Sequence, residues 1–132
     1  EYYRPQRSDG TLICHYRHRA HDDPFLWPGL TDISASVDFT ALAEAAESCG
    51  LEVCGYTTQA MFLLACGLEE LLSEFQQLPE RDRLKKHNQV RQLTLPGGMG
   101  ERFQVMAMGR GLGDEFSEDL MGFSLADYCH RL

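Results

Sequence analysis

A capped helix that stops on a single glycine and passes straight into an apolar strand is the strongest constraint in this chain. Asp38 stands in front of Phe39, Leu42, Ala43, Ala46 and Cys49, apolar residues recurring at helical spacing. Its carboxylate can accept the orphan N–H groups of the first helical turn, so it is the expected N-cap. Gly50 supplies the left-handed residue that ends such a helix, and residues 51–56 (LEVCGY) follow at once as a short strand. A helix that turns through one residue into a strand forms the second half of a β-α-β crossover. The expectation is an α/β fold in which residues 51–56 pair in parallel with residues 11–19 or with a strand upstream.

The remaining elements fit around that unit. Residues 11–19 read as one strand, with Leu12, Cys14, Tyr16 and His18 on one side and Ile13, His15, Arg17 and Arg19 on the other. Residues 20–32 carry three Asp, two Pro and a Gly, and read as a loop anchored by Phe25, Leu26 and Trp27. A loop of that length covers a site or packs as a lid. Thr57 or Thr58 caps a helix through Cys66 that is apolar almost all round and expected to be buried. Gly67 breaks it, a more amphipathic helix covers 68–77, and Pro79 opens another to about residue 92. Residues 95–100 (LPGGMG) form a tight turn into a last strand at 103–108. The acidic, glycine-bearing residues 109–118 then lead to the C-terminus as a loose linker. About three strands are too few for a complete doubly wound sheet. The chain therefore reads as the C-terminal part of a larger α/β domain, with residues 109–132 as its tail.

Composition narrows the function classes. The 132 residues, 43% hydrophobic, suffice for one domain with a modest core. A net charge of −8 repels phosphate backbones, and the basic residues between Arg81 and Arg91 are interrupted by Asp82, so no nucleic-acid partner is expected. The longest apolar run, residues 60–68, is about half of a membrane span, and no signal sequence opens the chain, so no membrane role is expected either. The five cysteines, at 14, 49, 54, 66 and 129, form no CxxC pair. They read as reduced, mostly buried thiols of a cytosolic or matrix-like compartment. Cys49, Cys54 and Cys66 fall on apolar faces, where thiols are inert.

The chemistry-bearing residues concentrate near residues 14–38. Cys14, His15, His18, His21, Asp22 and Asp23 suggest zinc, but His15 and His18 would point apart on an extended segment, which favours a structural role. His18 or His21 instead lines a substrate mouth, because ligands of open α/β sheets bind beyond the carboxyl ends of strands. Asp32 is the better functional candidate than Asp38, since no local structure demands it. Gln59, at the start of an apolar helix, either caps the turn or contacts a ligand. Gly97, Gly98 and Gly100 follow a helix and precede a strand, the reverse of a nucleotide-binding glycine loop.

The run GTLICHYRHRAHDDPFLWPGLTDISASVDFTALAEAA at 10–46, then GYTTQA at 55–60, FLL at 62–64, GLEEL at 67–71, LPGGMGE at 95–101, FQVMA at 103–107 and the closing residues 122–132 follow a family order. They resemble the C-terminal half of the mitochondrial dysfunction protein A-like family of S-adenosylmethionine-dependent methyltransferases. That resemblance implies a Rossmann-like class I fold, of which this chain holds an incomplete, mostly parallel sheet flanked by helices. It implies an activity linked, in mitochondria, to arginine methylation of a respiratory complex I subunit. The cofactor, S-adenosylmethionine, would bind a glycine loop upstream, so none is expected in this chain alone, which should be inactive. The implied partner is an arginine-bearing protein acceptor, held by Asp32 first, with His18, His21 and Gln59 behind it. An acidic chain suits such an acceptor. The matching family stretch commonly reads DITAHVDF, so Ser34 stands where threonine is usual and Ser36 where histidine is usual. Ser36 cannot take up a proton near neutral pH. The alternative is a non-catalytic interaction or assembly module, touching partners through residues 25–27 and the helix at 81–91. A homo-oligomer is compatible with either. The implied compartment is the cytoplasm, or the mitochondrial matrix in a eukaryote.

Overall fold

The computed structural model describes residues 10–112 and 120–132. Within it the chain forms two compact units, Glu1–Leu42 and Ala43–Leu132.

In the first unit the expected strand at 11–19 is a tight hairpin instead. β1 (Ile13–Tyr16) and β2 (Arg19–His21) pair antiparallel with Tyr16 opposite Arg19, leaving only Arg17 and His18 in the turn. Both have positive φ, 46° and 63°, the conformation that a type I′ turn requires and that normally selects Asn-Gly. Two successive side-chain-bearing residues there cost roughly 1–2 kcal/mol each. The Arg17 guanidinium lies 5.3 Å from the Tyr16 ring centre, a partial compensation. The reversal takes His18 off the strand face and places Arg19 and His21 beside Tyr16 and Cys14. β3 (Asp32–Ser34) pairs antiparallel with the other edge of β1, giving the order β2-β1-β3.

Residues 22–31 are a folded loop. Phe25 N–H donates to the Asp23 carboxylate, Leu26 N–H to the Asp23 carbonyl, and the Thr31 hydroxyl to the Leu26 carbonyl. Trp27, itself at φ 53°, stacks on Tyr16 with ring centres 4.7 Å apart and meets the His21 ring edge-on at 6.0 Å. Cys14 is fully buried on the same sheet face, opposite His21 and Ile33.

The helix α1 (Phe39–Ser48) has the caps its sequence announces. The Asp38 carboxylate accepts from Ala41 N–H at 3.1 Å. At the other end Gly50 N–H reaches the Glu47 carbonyl and Leu51 N–H the Ala46 carbonyl, a Schellman motif closed by Gly50 at φ 73°.

In the second unit β4 (Glu52–Thr58) does not make the expected parallel pair. It pairs antiparallel with β5 (Gln104–Gly109), with a register shift at Cys54. Among the described residues every ladder is antiparallel, so the crossover inferred from the α1–β4 junction is not seen in this chain. Between the two strands run α2 (Gln59–Ala65), α3 (Leu68–Glu74), α4 (Glu80–Thr94) and α5 (Met99–Arg102). Thr58 is the α2 cap, its hydroxyl accepting from Met61 N–H. Only Ala60 of α2 is buried, and its larger side chains are half-exposed where full burial was expected. The expected turn at 95–100 holds only to Gly98, because Met99 and Gly100 already belong to α5. The linker expected at 109–118 begins as the end of β5, and residues 113–119 lie outside the described residues.

The C-terminal residues pack through glycines. The Phe123 ring sits where a Gly55 side chain would be, 2.5 Å from an ideal Cβ, and the Phe62 ring occupies the corresponding point at Gly122. The two rings meet nearly edge-on at 5.6 Å. Further on, Tyr128 N–H donates to the Tyr56 carbonyl. Among the described residues the buried apolar set is Cys14, Ala43, Ala46, Tyr56 and Ala60, without one fully buried Leu, Ile, Val, Phe, Met or Trp. All five cysteines are free, and only Cys14 is buried, contrary to the expectation of mostly buried thiols; Cys49 and Cys66 are exposed.

Candidate functional site

The first unit holds three of the four candidate residues. Asp32 opens β3 opposite His15 and is exposed, and its carboxylate has no hydrogen-bond or ionic partner among the described residues. Its carboxylate is thus available to an external cation or N–H donor. His18 is exposed at the hairpin tip. His21 differs: both ring nitrogens are buried without a partner among the described residues, and the ring edge meets Trp27. It packs inside the hairpin cluster, where it cannot line an open mouth without rearrangement. No group of three or more His, Cys, Asp or Glu side chains converges on a metal position among the described residues. The ladder pairs His21 with Cys14 and His15 with Ala20, so His15 and His21 lie on opposite faces of the sheet. Ser36 donates its backbone N–H to the Thr11 hydroxyl at 3.1 Å.

Gln59 belongs to the second unit and braces a loop. Its backbone N–H donates to the Phe103 carbonyl at 2.9 Å and its side-chain amide to the Leu93 carbonyl at 2.9 Å. One residue therefore ties both limbs of the glycine-rich loop. The expected turn cap is Thr58 rather than Gln59, whose side-chain amide reaches Leu93 instead. Gln59→Ala should loosen the loop and lower stability by about 1 kcal/mol, read as the urea midpoint. An unchanged midpoint would show that the side-chain bond contributes nothing.

The loop itself does not fit a nucleoside cofactor. An ideal Cβ on Gly100 would lie 2.6 Å from the Thr94 backbone, so the close approach that glycine permits is taken up by the chain itself. Gly97 N–H is also occupied, by the Glu101 carboxylate at 2.9 Å.

A third cluster was not visible as a site in the sequence. The Asp127 carboxylate accepts from Tyr56 N–H at 3.3 Å and Cys129 N–H at 2.8 Å, and from the Cys129 thiol. Burial acts to raise its pKa, but these donors and nearby His130 together hold it below the usual carboxylate value. Burial, then the Asp127 carboxylate, push the Cys129 thiol up to about 12. Burial also raises the Tyr56 phenol, partly offset by Arg131. The one sequence signal was the Asp127-x-Cys129 spacing of an Asx-turn. The stabilising effect of Asp127 is present at neutral pH and is lost as acidification protonates it. That of Cys129 is present below its ordinary pKa near 9 and is lost as the pH rises toward about 12. At pH 9, iodoacetamide should label exposed Cys49 and Cys66 at least about 100-fold faster than Cys129, as peptide mapping would show. Equal rates would contradict the Asp127–Cys129 contact.

With this geometry in place, the comparisons with known proteins are direct. Residues 1–57 match the family described as "Putative S-adenosyl-L-methionine-dependent methyltransferase". Over 99% of its length the chain matches, at 44% identity and TM-score 0.84, a superfamily member from Burkholderia thailandensis crystallised with S-adenosyl-homocysteine. The chain is thus similar to this methyltransferase family, its model match lying over residues 1–57. A native crystal structure of a Burkholderia thailandensis protein of the same superfamily matches equally, at 44% identity and TM-score 0.84 over 99% of the chain. A curated relative, the mitochondrial protein arginine methyltransferase NDUFAF7 homolog of Drosophila melanogaster, is 36% identical over 107 residues, 77% of this chain. The chain spans 24% of that relative and 33–34% of the two Burkholderia chains. No helix among the described residues is long and apolar enough to cross a membrane.

Proposed function

We propose that this chain is the C-terminal part of an S-adenosylmethionine-dependent methyltransferase acting on a protein arginine, and that it is inactive alone. The observation that carries the proposal is its 44% identity, over nearly its whole length, to one third of a protein that binds S-adenosyl-homocysteine. The arginine acceptor is supported by the name of the fly relative and by the exposed, unpartnered Asp32 carboxylate, which suits a guanidinium. His18 lies in the same unit and stands second. His21 and Gln59 act through packing and loop bracing. A Rossmann-like whole remains compatible with the antiparallel β4–β5 pair, because doubly wound sheets commonly carry an antiparallel edge strand. Arginine methylation needs little acid–base chemistry from the enzyme: the acceptor nitrogen is aligned with the methyl donor and water is excluded. The mitochondrial fly relative supports a matrix location in a eukaryote, and the cytoplasm is proposed otherwise.

The proposal is tested by titrating the 132-residue chain with S-adenosyl-homocysteine in a calorimeter. No binding tighter than about 1 mM is expected. Micromolar binding would place a cofactor site in this chain and overturn the division of labour.

The second reading, a non-catalytic assembly module, draws support from Phe25, which is 84% exposed on the folded loop. Trp27, also exposed, stands beside it with its ring against Tyr16 and His21.

A further inference from the structure

Outside the residues already assigned, the loop that Gln59 braces carries three large apolar side chains in reach of solvent. Leu95, Met99 and Phe103 lie within nine residues of one another and are 43%, 41% and 52% exposed. The loop that carries them is fixed by its own polar contacts. Gln59 ties both limbs, Glu101 holds Gly97 N–H, Gly98 N–H donates to the Leu95 carbonyl, and Gly100 lies against the Thr94 backbone. Met99 and Phe103 stand four residues apart, joined by the Phe103 N–H bond to the Met99 carbonyl, so they emerge on one side of α5. Large apolar side chains held rigidly in water mark a surface made for burial, with its ordering cost already met.

We propose that Leu95, Met99 and Phe103 form the surface on which the remaining, cofactor-binding portion of the methyltransferase polypeptide docks. This rests on the function proposed above. Two facts select that occupant. The SAH-bound relative matches this chain almost end to end but extends over three times its length, so two thirds of such a polypeptide lies beyond the matched segment. The second unit also buries only Ala43, Ala46, Tyr56 and Ala60 among its described apolar residues, leaving its larger side chains available to a shared core.

The test compares one substitution in two settings. In the first, residues 1–132 replace the matching segment of the Burkholderia relative. In the second, the 132-residue chain is studied alone. Phe103→Glu should lower the melting temperature of the chimera by about 5 °C or more, and that of the isolated chain by less than about 2 °C. The milder Met99→Gln should repeat the contrast should Phe103→Glu abolish folding of the chimera. Equal shifts in both settings would overturn the proposal, as would a wild-type chimera that does not fold. An isolated chain that sediments as a dimer, and that Phe103→Glu returns to monomer, would assign the surface to a second copy and overturn it too. A chimera that shows the contrast but transfers no methyl group would leave the docking surface standing and remove the functional reading.

Discussion

Replacing Gly55 by alanine is expected to destabilise the second unit by about 1–3 kcal/mol, the usual cost of forcing a methyl group into occupied space. The Phe123 ring carbons lie 2.5–2.8 Å from the position of the new Cβ, closer than real contacts allow. The ring cannot swing away freely, because it meets Phe62 edge-on, and Phe62 in turn covers Gly122. Gly55 has no positive φ, so the penalty comes from the ring and not from the backbone. A double-mutant cycle separates the two. In a Phe123→Ala background the cost of Gly55→Ala should largely disappear, giving a coupling energy of about 1 kcal/mol or more from urea midpoints. Additive effects would mean that Phe123 does not rest on Gly55 in solution.

The second large effect concerns activity. In a complete enzyme carrying this segment, Asp32→Ala should lower the rate of acceptor methylation by about 100-fold, close to 2.7 kcal/mol. Binding of S-adenosylmethionine should stay nearly unchanged. The Asp32 carboxylate caps no helix and accepts no hydrogen bond among the described residues, so its loss leaves no internal donor stranded. Asp32→Asn keeps the shape and removes the charge, and should fall almost as far if the carboxylate meets a guanidinium. Normal turnover in Asp32→Ala would remove the residue from the acceptor site.

The parts of the fold legible in the sequence were those written locally. Asp38, Gly50 and Thr58 announce helix ends, and each makes the capping bond its type predicts. What the sequence hid depends on pairing at a distance. The Arg17-His18 turn carries neither Asn nor Gly, so nothing in its composition signals that the strand reverses there. The glycine between α1 and β4 fits a parallel crossover equally well, and only the approach of β5 makes β4 antiparallel. The role of Gln59 was half legible. A glutamine that opens an apolar helix is expected to use its amide, but which carbonyl it finds is set by α4, thirty-four residues on. His21 escaped in the other direction, since its place beside Trp27 follows from the same unannounced turn.

The most direct test of the central claim is methyl transfer from isotopically labelled S-adenosylmethionine to arginine-bearing proteins. It would be measured for the 132-residue chain and for the Burkholderia relative with its matching segment replaced by residues 1–132. The account predicts no transfer by the chain alone and labelled methylarginine in acid hydrolysates from the chimera. Transfer by the isolated chain, or none by a folded chimera that still binds S-adenosyl-homocysteine, would contradict it.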